Sequence, residues 1–335
     1  MLQVFVLGLV GFVLVKKGML SPQGLDGLTD FFIGLVFPAL IFGQIVREFD
    51  FKAVGYWWLF PLLSLGITGL GLLAGYGFGF SLKDAQTKRE FIALSGFQNS
   101  GYLPLVLLKG ILPPEQLGPM LIYLFLFLLG FNLVIWSWGV SFLSARPAAS
   151  FGYGCGYRKP HHRPLAYGKP NYGLVANMFS WASLFSPPVL AVILGLVFVI
   201  LKIGRFIPQF ILFPIEMLGN CSFPLAMVVV GASLAQLYNK QAIDLRNIIK
   251  LSLLKLCILP LLGLLFLSLV RLPYLIGLLL ILELAVPSAT NLAIITRKYA
   301  RQEKIISQGI FFSHILSLIT LPVFLTLFNI IVSRR

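Results

Sequence analysis

The chain has 335 residues, of which 58% are hydrophobic and only 11% are charged, and its mean hydropathy is +0.93. A soluble domain carries about 25% charged residues, whereas apolar runs of about 20 residues, each long enough to cross a bilayer, recur along this whole chain. The composition excludes a soluble globular protein and predicts an all-α polytopic membrane protein. The net charge of +15 lies in short loops between the apolar runs, so it indicates topology and no nucleic-acid partner.

Ten membrane spans are predicted from the apolar runs, and the first run is interpreted as a retained span and not as a cleaved signal peptide. The predicted spans cover residues 1–15, 27–46, 54–80, 90–109, 118–145, 184–202, 208–237, 247–270, 273–297 and 305–332. Seventeen of the 26 Lys and Arg residues fall in odd-numbered loops, against eight in even-numbered loops and at the C-terminus. This asymmetry predicts cytoplasmic odd-numbered loops, both termini outside and a location in the plasma membrane.

The longest loop, residues 146–183, is cytoplasmic in this topology and divides the chain into halves of residues 1–145 and 184–335. It is rich in Gly, Tyr, Pro, His and Arg, so we predict a basic linker that lies near anionic lipid. A metal site at the adjacent His161 and His162 is the weaker alternative, because no further ligand accompanies them. No metal and no cofactor are therefore predicted.

The two halves resemble each other in the order of their Gly and Pro residues. Matching pairs occur at the same spacing: Gly18 with Gly204, Pro22 with Pro208, and Phe37-Pro38 with Phe223-Pro224. Because each half holds five spans, an odd number, the halves have opposite orientations in the membrane. The pattern predicts a five-plus-five inverted repeat, which is typical of secondary transporters.

Spans 4 and 9 place their poorest helix-forming residues at mid-membrane depth, with breaks predicted at 99–104 and 287–291. Since freed backbone groups in a membrane survive only beside protein or water, the two breaks are expected to cross and to form a ligand site. The positive ends of the half-helices that follow would favour an anion, in particular a carboxylate. Simple proline kinks are the alternative. The predicted substrate-binding residues are Asn99, Ser100, Gly101, Pro104, Pro287, Ser288, Thr290 and Asn291.

Further polar side chains inside the spans are candidates for coupling to ions or substrate. Glu283 is predicted either to couple protons or substrate, or to be a paired or neutral group. Lys255 is expected to snorkel to the interface, with pairing to Glu283 as the alternative. Gln98 lies beside the first break and is a third candidate. His314 is expected to be a hydrogen-bonded structural residue, with a proton relay as the alternative.

Span 3 carries Gly71, Gly75 and Gly79 at four-residue spacing, which predicts a close helix-packing face. The chain holds none of the common catalytic motifs, such as a zinc-protease HExxH or a GxSxG elbow, so it is not expected to be an enzyme. It also holds no phosphate-binding loop, which argues against an ATP-driven pump.

Four segments resemble the auxin efflux carrier family, which includes plant PIN-type carriers and bacterial malate-permease-like members. They are "FFIGLVFPALIF", "GFQNSGYLPL", "CSFPLAMVVVGASL" and "AVPSATNLAIITRKY", in spans 2, 4, 7 and 9. The resemblance implies crossed broken helices, with the crossover Asn and Pro residues of the family at Asn99, Pro104, Pro287 and Asn291. It also implies a homodimer, a scaffold of spans 1, 2, 6 and 7, and a moving transport part of spans 3–5 and 8–10.

The function expected from these features is secondary transport of small organic anions, namely carboxylates that are auxin-like or dicarboxylate, by elevator-type alternating access, with export as the direction. Plant PIN-type carriers often have a long cytoplasmic loop, whereas the loop here has under 40 residues, so auxin is not the expected substrate. Two alternatives stay open: a sodium-coupled symporter like the bile acid carriers, and a membrane receptor or sensor that binds a ligand without transporting it. The sequence leaves the substrate and its coupling to protons or sodium open.

Overall fold

A computed structural model describes residues 2–52, 54–144, 186–237, 243–299 and 305–333. Every regular element within these ranges is helical. The predicted basic linker at 146–183, with His161 and His162, lies outside the described residues. Six described helices are long and apolar enough to cross a membrane, and four further apolar helices are shorter. The fold is therefore that of an all-helical integral membrane protein.

The first half of the chain forms eight helices, two of which continue others through single π-helical turns. They are α1 (Leu2–Lys16), α2 (Pro22–Phe31), α3 (Phe37–Glu48), α4 (Leu59–Phe78), α5 (Ala85–Gly96), α6 (Tyr102–Ile111), α7 (Pro114–Val134) and α8 (Val140–Ser144). The turn Phe32–Val36 joins α2 to α3, and the turn Ile135–Gly139 joins α7 to α8.

The described residues of the second half also form eight α-helices. They are α9 (Pro187–Ile200), α10 (Gln209–Asn220), α11 (Ser222–Leu237), α12 (Leu245–Leu253), α13 (Leu259–Leu269), α14 (Tyr274–Ala285), α15 (Asn291–Tyr299) and α16 (Ile306–Ser333). A π-helical turn at Leu254–Ile258 joins α12 to α13. Two of the three π turns are followed closely by a proline, Pro38 or Pro260, which cannot donate to the carbonyl four residues earlier. The wider turn accommodates this missing donor.

Several helices begin earlier than the apolar runs predict, because polar residues cap them. Span 2 was predicted from residue 27, but α2 starts at Pro22, where the Ser21 hydroxyl accepts from the Gly24 N–H at 3.0 Å. Span 4 was predicted from residue 90, but the Asp84 carboxylate accepts from the Thr87 N–H at 2.8 Å and starts α5 at residue 85. A side-chain acceptor at the N-cap satisfies one otherwise unpaired helix donor, so polar residues extend these helices beyond their apolar parts.

Helices α1, α3, α9, α10 and α11 pack against one another through glycines. A Cβ placed on Gly231 of α11 would lie 1.7 Å from the Gly8 carbonyl oxygen of α1, and one on Gly219 of α10 would lie 2.8 Å from the Leu40 Cα of α3. Gly195 of α9 faces Ile45 of α3 in the same way. Such small residues allow helix backbones in a membrane to approach closely.

The other helices gather around α4, α7 and α16. Helix α4 packs along α5 and α7, while α12, α13 and α14 pack along α16. The two groups meet where α11 contacts α6 and α16, and where α3 contacts α7. Large apolar side chains such as Leu73, Phe210 and Leu269 cover the outside, each more than 70% exposed. An apolar exterior of this kind fits contact with lipid tails.

The predicted packing face on span 3 is confirmed at two of its three glycines. A Cβ on Gly71 would lie 2.7 Å from the Ser95 carbonyl oxygen, and one on Gly75 would lie 2.8 Å from the Ser95 Cβ. A Cβ on Gly79 would come no nearer than 3.6 Å to Lys88, an ordinary contact. The close approach of α4 to α5 therefore depends on Gly71 and Gly75.

We expect Gly71→Ala to lower the melting temperature in detergent, because the new methyl group meets backbone atoms of Ser95 and Gly96 that cannot move aside. Overpacking of this kind costs about 1–3 kcal/mol. Gly69→Ala, on the same helix with no atom within 4 Å of the new Cβ, is the matched control. Equal melting temperatures for both variants would contradict the close contact between α4 and α5.

Candidate functional site

Spans 4 and 9 are both broken, and their unwound segments lie against each other. Helix α5 ends at Gly96 and α6 begins at Tyr102, while α14 ends at Ala285 and α15 begins at Asn291. We call the segments between them, residues 97–101 and 286–290, the crossing.

Two backbone hydrogen bonds hold the crossing together as an antiparallel bridge between Gln98 and Ser288. The Asn99 N–H donates to the Pro287 carbonyl at 2.8 Å, and the Ala289 N–H donates to the Phe97 carbonyl at 2.9 Å. Each break thereby supplies partners for backbone groups that its own helix has released. This pairing explains how unwound backbone survives inside an apolar protein.

Ser288 and its neighbours fix the crossing to the surrounding helices. The Ser288 hydroxyl donates to the Leu94 carbonyl of α5 at 2.7 Å, and its N–H donates to the Ser313 hydroxyl of α16 at 3.3 Å. The hydroxyl proton of this predicted substrate-binding residue is thus committed to the protein. Ser313 was not predicted from the sequence, although the adjacent Ser313 and His314 within an apolar span were a usable signal.

The first break lies earlier than predicted, because Pro104 is not part of it. Pro104 occupies the first turn of α6, where a helix N–H has no intrahelical partner and its loss costs little. The unwound residues include Asn99, Ser100 and Gly101, and helix formation resumes at Tyr102. Pro287, by contrast, lies within the second break, and its carbonyl accepts the Asn99 N–H.

Asn99 contacts His314 of α16 with 3.0 Å between its amide nitrogen and the imidazole Nε2. The Nδ1 of His314 lies 2.8 Å from the Ile310 carbonyl oxygen, which can only accept, so Nδ1 carries a proton. The Asn99 amide nitrogen can only donate, so Nε2 accepts and the ring is neutral. His314 is hydrogen-bonded, as predicted, and it fixes the orientation of Asn99.

Asn99 and Asn291, both predicted to bind substrate, do not occupy equivalent positions in the two breaks. The Gln98–Ser288 bridge has a local two-fold relation that pairs Asn99 with Ala289, and Gly101 with Asn291. Asn291 begins α15, whereas Asn99 precedes α6 by three residues. The buried Oδ1 of Asn291 has no hydrogen-bond partner among the described residues, and Thr290 beside it is half-buried.

Lys255 is buried, so the prediction that it snorkels to the interface is wrong. Its side chain is 1% exposed, and its Nζ donates to the Ser95 carbonyl at 3.3 Å. That carbonyl lies in the last turn of α5, where unpaired C=O groups form the negative end of the helix dipole. The π-helical turn Leu254–Ile258 holds Lys255 in this position.

Glu283 is fully buried in α14, and it interacts electrostatically with Lys255, Ser100 and Gln98. Ser100 directly precedes the N-cap of α6, so the carboxylate lies near the positive end of that helix. Lys255 thus lies at the negative end of α5, and Glu283 lies near the positive end of α6. Glu283 was predicted either to couple protons or substrate or to be a paired or neutral group, and the structure brings it beside the crossing.

Polar atoms of the crossing are available to a ligand. Among the described residues, the buried side-chain atoms that make no hydrogen bond of normal geometry include both carboxylate oxygens of Glu283, the amide oxygen and nitrogen of Gln98, and the Ser100 hydroxyl, although Gln98 and Ser100 lie near enough to the carboxylate to interact with it. Buried polar groups are almost always paired, so a cluster of unpaired ones marks a place where a solute could bind. Gln98, Asn99 and Ser100 are each at most 2% exposed, so access requires a change of conformation.

The contact between Asn99 and His314 predicts a non-additive pair of mutations. We expect Asn99→Ala and His314→Ala each to lower the melting temperature, and the double variant to lose less than the sum, with a coupling of about 0.5–3 kcal/mol. Asn99→Ala combined with Thr326→Ala, an exposed position on the same helix α16, serves as the control and should be additive. Additive losses for Asn99 and His314 would show that the two side chains do not interact.

Comparison with known proteins agrees with this architecture. A family model described as "Membrane transport protein" matches residues 1–325. No curated protein matches the chain. The match spans nearly the whole sequence and confirms the resemblance drawn from the four motifs. The chain therefore belongs to the membrane transport protein family, which includes the auxin efflux carriers.

Proposed function

We propose that this membrane transporter is a secondary carrier of small organic anions, such as carboxylates, and that the crossing binds them. The observation that carries the proposal is the pair of hydrogen-bonded breaks, which turn the N-terminal ends of α6 and α15 toward one buried place. Helix N-termini attract anions. Lys255, whose Nζ donates to the Ser95 carbonyl, would add a positive charge nearby as an ammonium, and the unpaired polar atoms of Gln98 and Ser100 can orient a carboxylate.

The carrier has ten spans in a five-plus-five inverted repeat. The described helices fall into ten segments in the predicted order, and the local two-fold relation at the crossing is what oppositely oriented repeats would produce. Six of these segments contain a long helix, and the other four contain a shorter apolar one. Two of the shorter helices belong to the broken spans 4 and 9, so each of these spans must cross as two half-helices.

Transport follows an elevator mechanism in a homodimer, with spans 1, 2, 6 and 7 as the scaffold and spans 3–5 and 8–10 as the moving part. Support comes from the two groups of helices, since α1, α3, α9, α10 and α11 pack mainly with each other. The ion pair between Arg47 of α3 and Glu216 of α10 lies within the scaffold group. The burial of the crossing requires such a movement before a solute can enter or leave.

Sodium-coupled symport is the second candidate, and the position of Glu283 favours it more than the sequence did. Sodium ions prefer oxygen ligands, and unpaired oxygens of Gln98 and Ser100 lie in the crossing, with those of Glu283 beside it. The positive charge of Lys255 opposes a second cation there. A receptor that binds the anion without flux is the third candidate.

Uptake and efflux of radiolabelled malate, lactate and indole-3-acetate in proteoliposomes separate these functions. We expect carboxylate flux without added sodium, reduced at least tenfold by Asn99→Ala and by Asn291→Ala. Asn220→Ala, an exposed position outside the crossing, is the control and should match the wild type. Flux that requires sodium would support the symporter, and binding without flux would support the receptor. Unchanged binding in both asparagine variants would remove the crossing as the site.

The carrier lies in the plasma membrane with both termini outside and the 146–183 loop in the cytoplasm. Export is the proposed direction, from the inside, where organic anions are produced, to the outside. For an anion moved with its charge, an inside-negative potential assists exit by about 2.3 kcal/mol per charge per 100 mV.

Cys155 allows a direct test of the topology, because it is the cysteine of the 146–183 loop. After Cys221 and Cys257 are replaced by serine, a membrane-impermeant maleimide added to intact cells should leave Cys155 unlabelled. Permeabilised cells should give full labelling. Labelling of Cys155 in intact cells would reverse the proposed orientation.

A further inference from the structure

Lys255 and Glu283 are two ionisable side chains that share the dry interior of the crossing. They are 1% and 0% exposed and interact electrostatically, yet no direct ion pair within 4.0 Å joins them in the part of the chain that the structure describes. Lys255 donates instead to the Ser95 carbonyl. Two separated full charges cost much free energy in such dry surroundings, so states in which the interior carries a net charge are disfavoured.

Few other titratable groups belong to the elements that pack around Glu283. Helix α13 carries none, and α4 carries Tyr76, whose ring contacts Lys88. The π turn Leu254–Ile258 carries Cys257 beside Lys255. The titratable groups of the other neighbours are Glu115 and Tyr123 on α7, Tyr274 on α14 itself, and His314 on α16. Tyr123 bonds Tyr56, and His314 bonds Asn99 and Ile310. Lys255 is therefore the charged partner of Glu283.

The empty pair holds one exchangeable proton in either of its neutral arrangements. The proton lies on Lys255 when the pair is an ammonium and a carboxylate, and on Glu283 when it is an amine and a carboxylic acid. A bound carboxylate adds one negative charge to this interior. If the interior is to stay neutral, Lys255 must be an ammonium and Glu283 a carboxylic acid at the same time. The loaded site then holds two protons. Because the Lys255 Nζ donates to the Ser95 carbonyl at the negative end of α5, Lys255 is the ammonium in the empty site as well, and the second proton goes to Glu283.

We infer that Glu283 takes up one proton with each carboxylate that binds beside Lys255, and releases it with the anion on the other side. This inference rests on the proposed function, since it assigns the coupling of the same site. The added proton comes from water on the side where the anion enters, and no oxidant, reductant or other ion is required. Glu283 is a proton-carrying residue in this scheme, and Lys255 is the fixed counter-charge of the substrate.

The coupling changes what drives transport. A monocarboxylate moves together with one proton and no net charge, so the membrane potential does not act on it. Outward flux then follows the concentration gradient of the substrate, and an outside more acidic than the inside opposes it. Export therefore requires a higher concentration of substrate inside, and the potential term applies only to anions that carry more than one charge.

Malate accumulation in proteoliposomes tests the coupling. If malate is not carried, the test uses a carboxylate of the panel above that is. Malate carries two charges at neutral pH, so one proton leaves a net charge of one. For the wild type we expect tenfold accumulation inside per unit of pH gradient with acid outside, and a tenfold change per about 59 mV of imposed potential. A trapped pH dye should report one proton per malate.

Glu283→Gln cannot bind the proton, and Lys255 stays an ammonium on the Ser95 carbonyl, so this variant should lose the response to pH entirely. Its response to potential should rise to a hundredfold per about 59 mV, because both charges of malate then move. Glu216→Gln, which makes the same chemical change in the Arg47 ion pair, should behave as the wild type. Exchange of labelled against unlabelled malate confirms that each variant is folded.

Three results would overturn the inference. They are malate accumulation by the wild type that ignores the pH gradient, an intact proton count in Glu283→Gln, and accumulation that a sodium gradient drives in place of protons. The wild-type measurement alone decides the matter if Glu283→Gln fails to insert. Flux without protons removes the coupling and leaves the proposed function in place, whereas absence of flux for every carboxylate removes both.

Discussion

Two hydrogen bonds between Asn99 and Pro287 and between Ala289 and Phe97 are the interaction on which this architecture depends. An unwound helix inside a membrane leaves donors and acceptors that lipid cannot satisfy. Here each break supplies what the other lacks, so neither is stable without its partner. The bridge therefore joins the two halves of the chain at a place where four helix ends converge. It also satisfies polar backbone groups that would otherwise be unpaired inside an apolar protein.

The charges of the crossing follow from the same arrangement. Lys255 lies at the carboxyl end of α5, and Glu283 lies near the amino end of α6. A helix end offers partial charge that does not need water, so each buried ion is stabilised by the break beside it. Without the helix ends that the breaks create, neither Lys255 nor Glu283 would have a partial charge beside it to stabilise its ionised form.

Much of the fold could be predicted from the sequence, since apolar runs of sufficient length have few alternatives to membrane helices. Both breaks were predicted because Gly, Asn, Ser and Pro cluster at 96–104 and 287–291. Helix starts at Ser21 and Asp84 were placed too late, since a cap acts through one side chain and not through hydropathy. The burial of Lys255 could not be predicted, because its partner carbonyl belongs to Ser95, 160 residues away. The register that relates Asn99 to Ala289, and not to Asn291, could not be predicted, because register between distant segments is set by tertiary pairing.

That register has a consequence for the working cycle of a carrier. Under the local two-fold relation Gln98 faces Ser288, and Asn99 corresponds to Ala289, so the two walls of the crossing differ in size and polarity. A solute that leaves past one wall meets different contacts from a solute that leaves past the other. Microscopic reversibility forbids such unequal walls from shifting the final distribution of the solute. The unequal walls can still make the outward and inward half-cycles run at different rates and saturate at different solute concentrations. The protein can therefore transport faster in one direction than in the other without any source of energy, although the equilibrium distribution is unchanged.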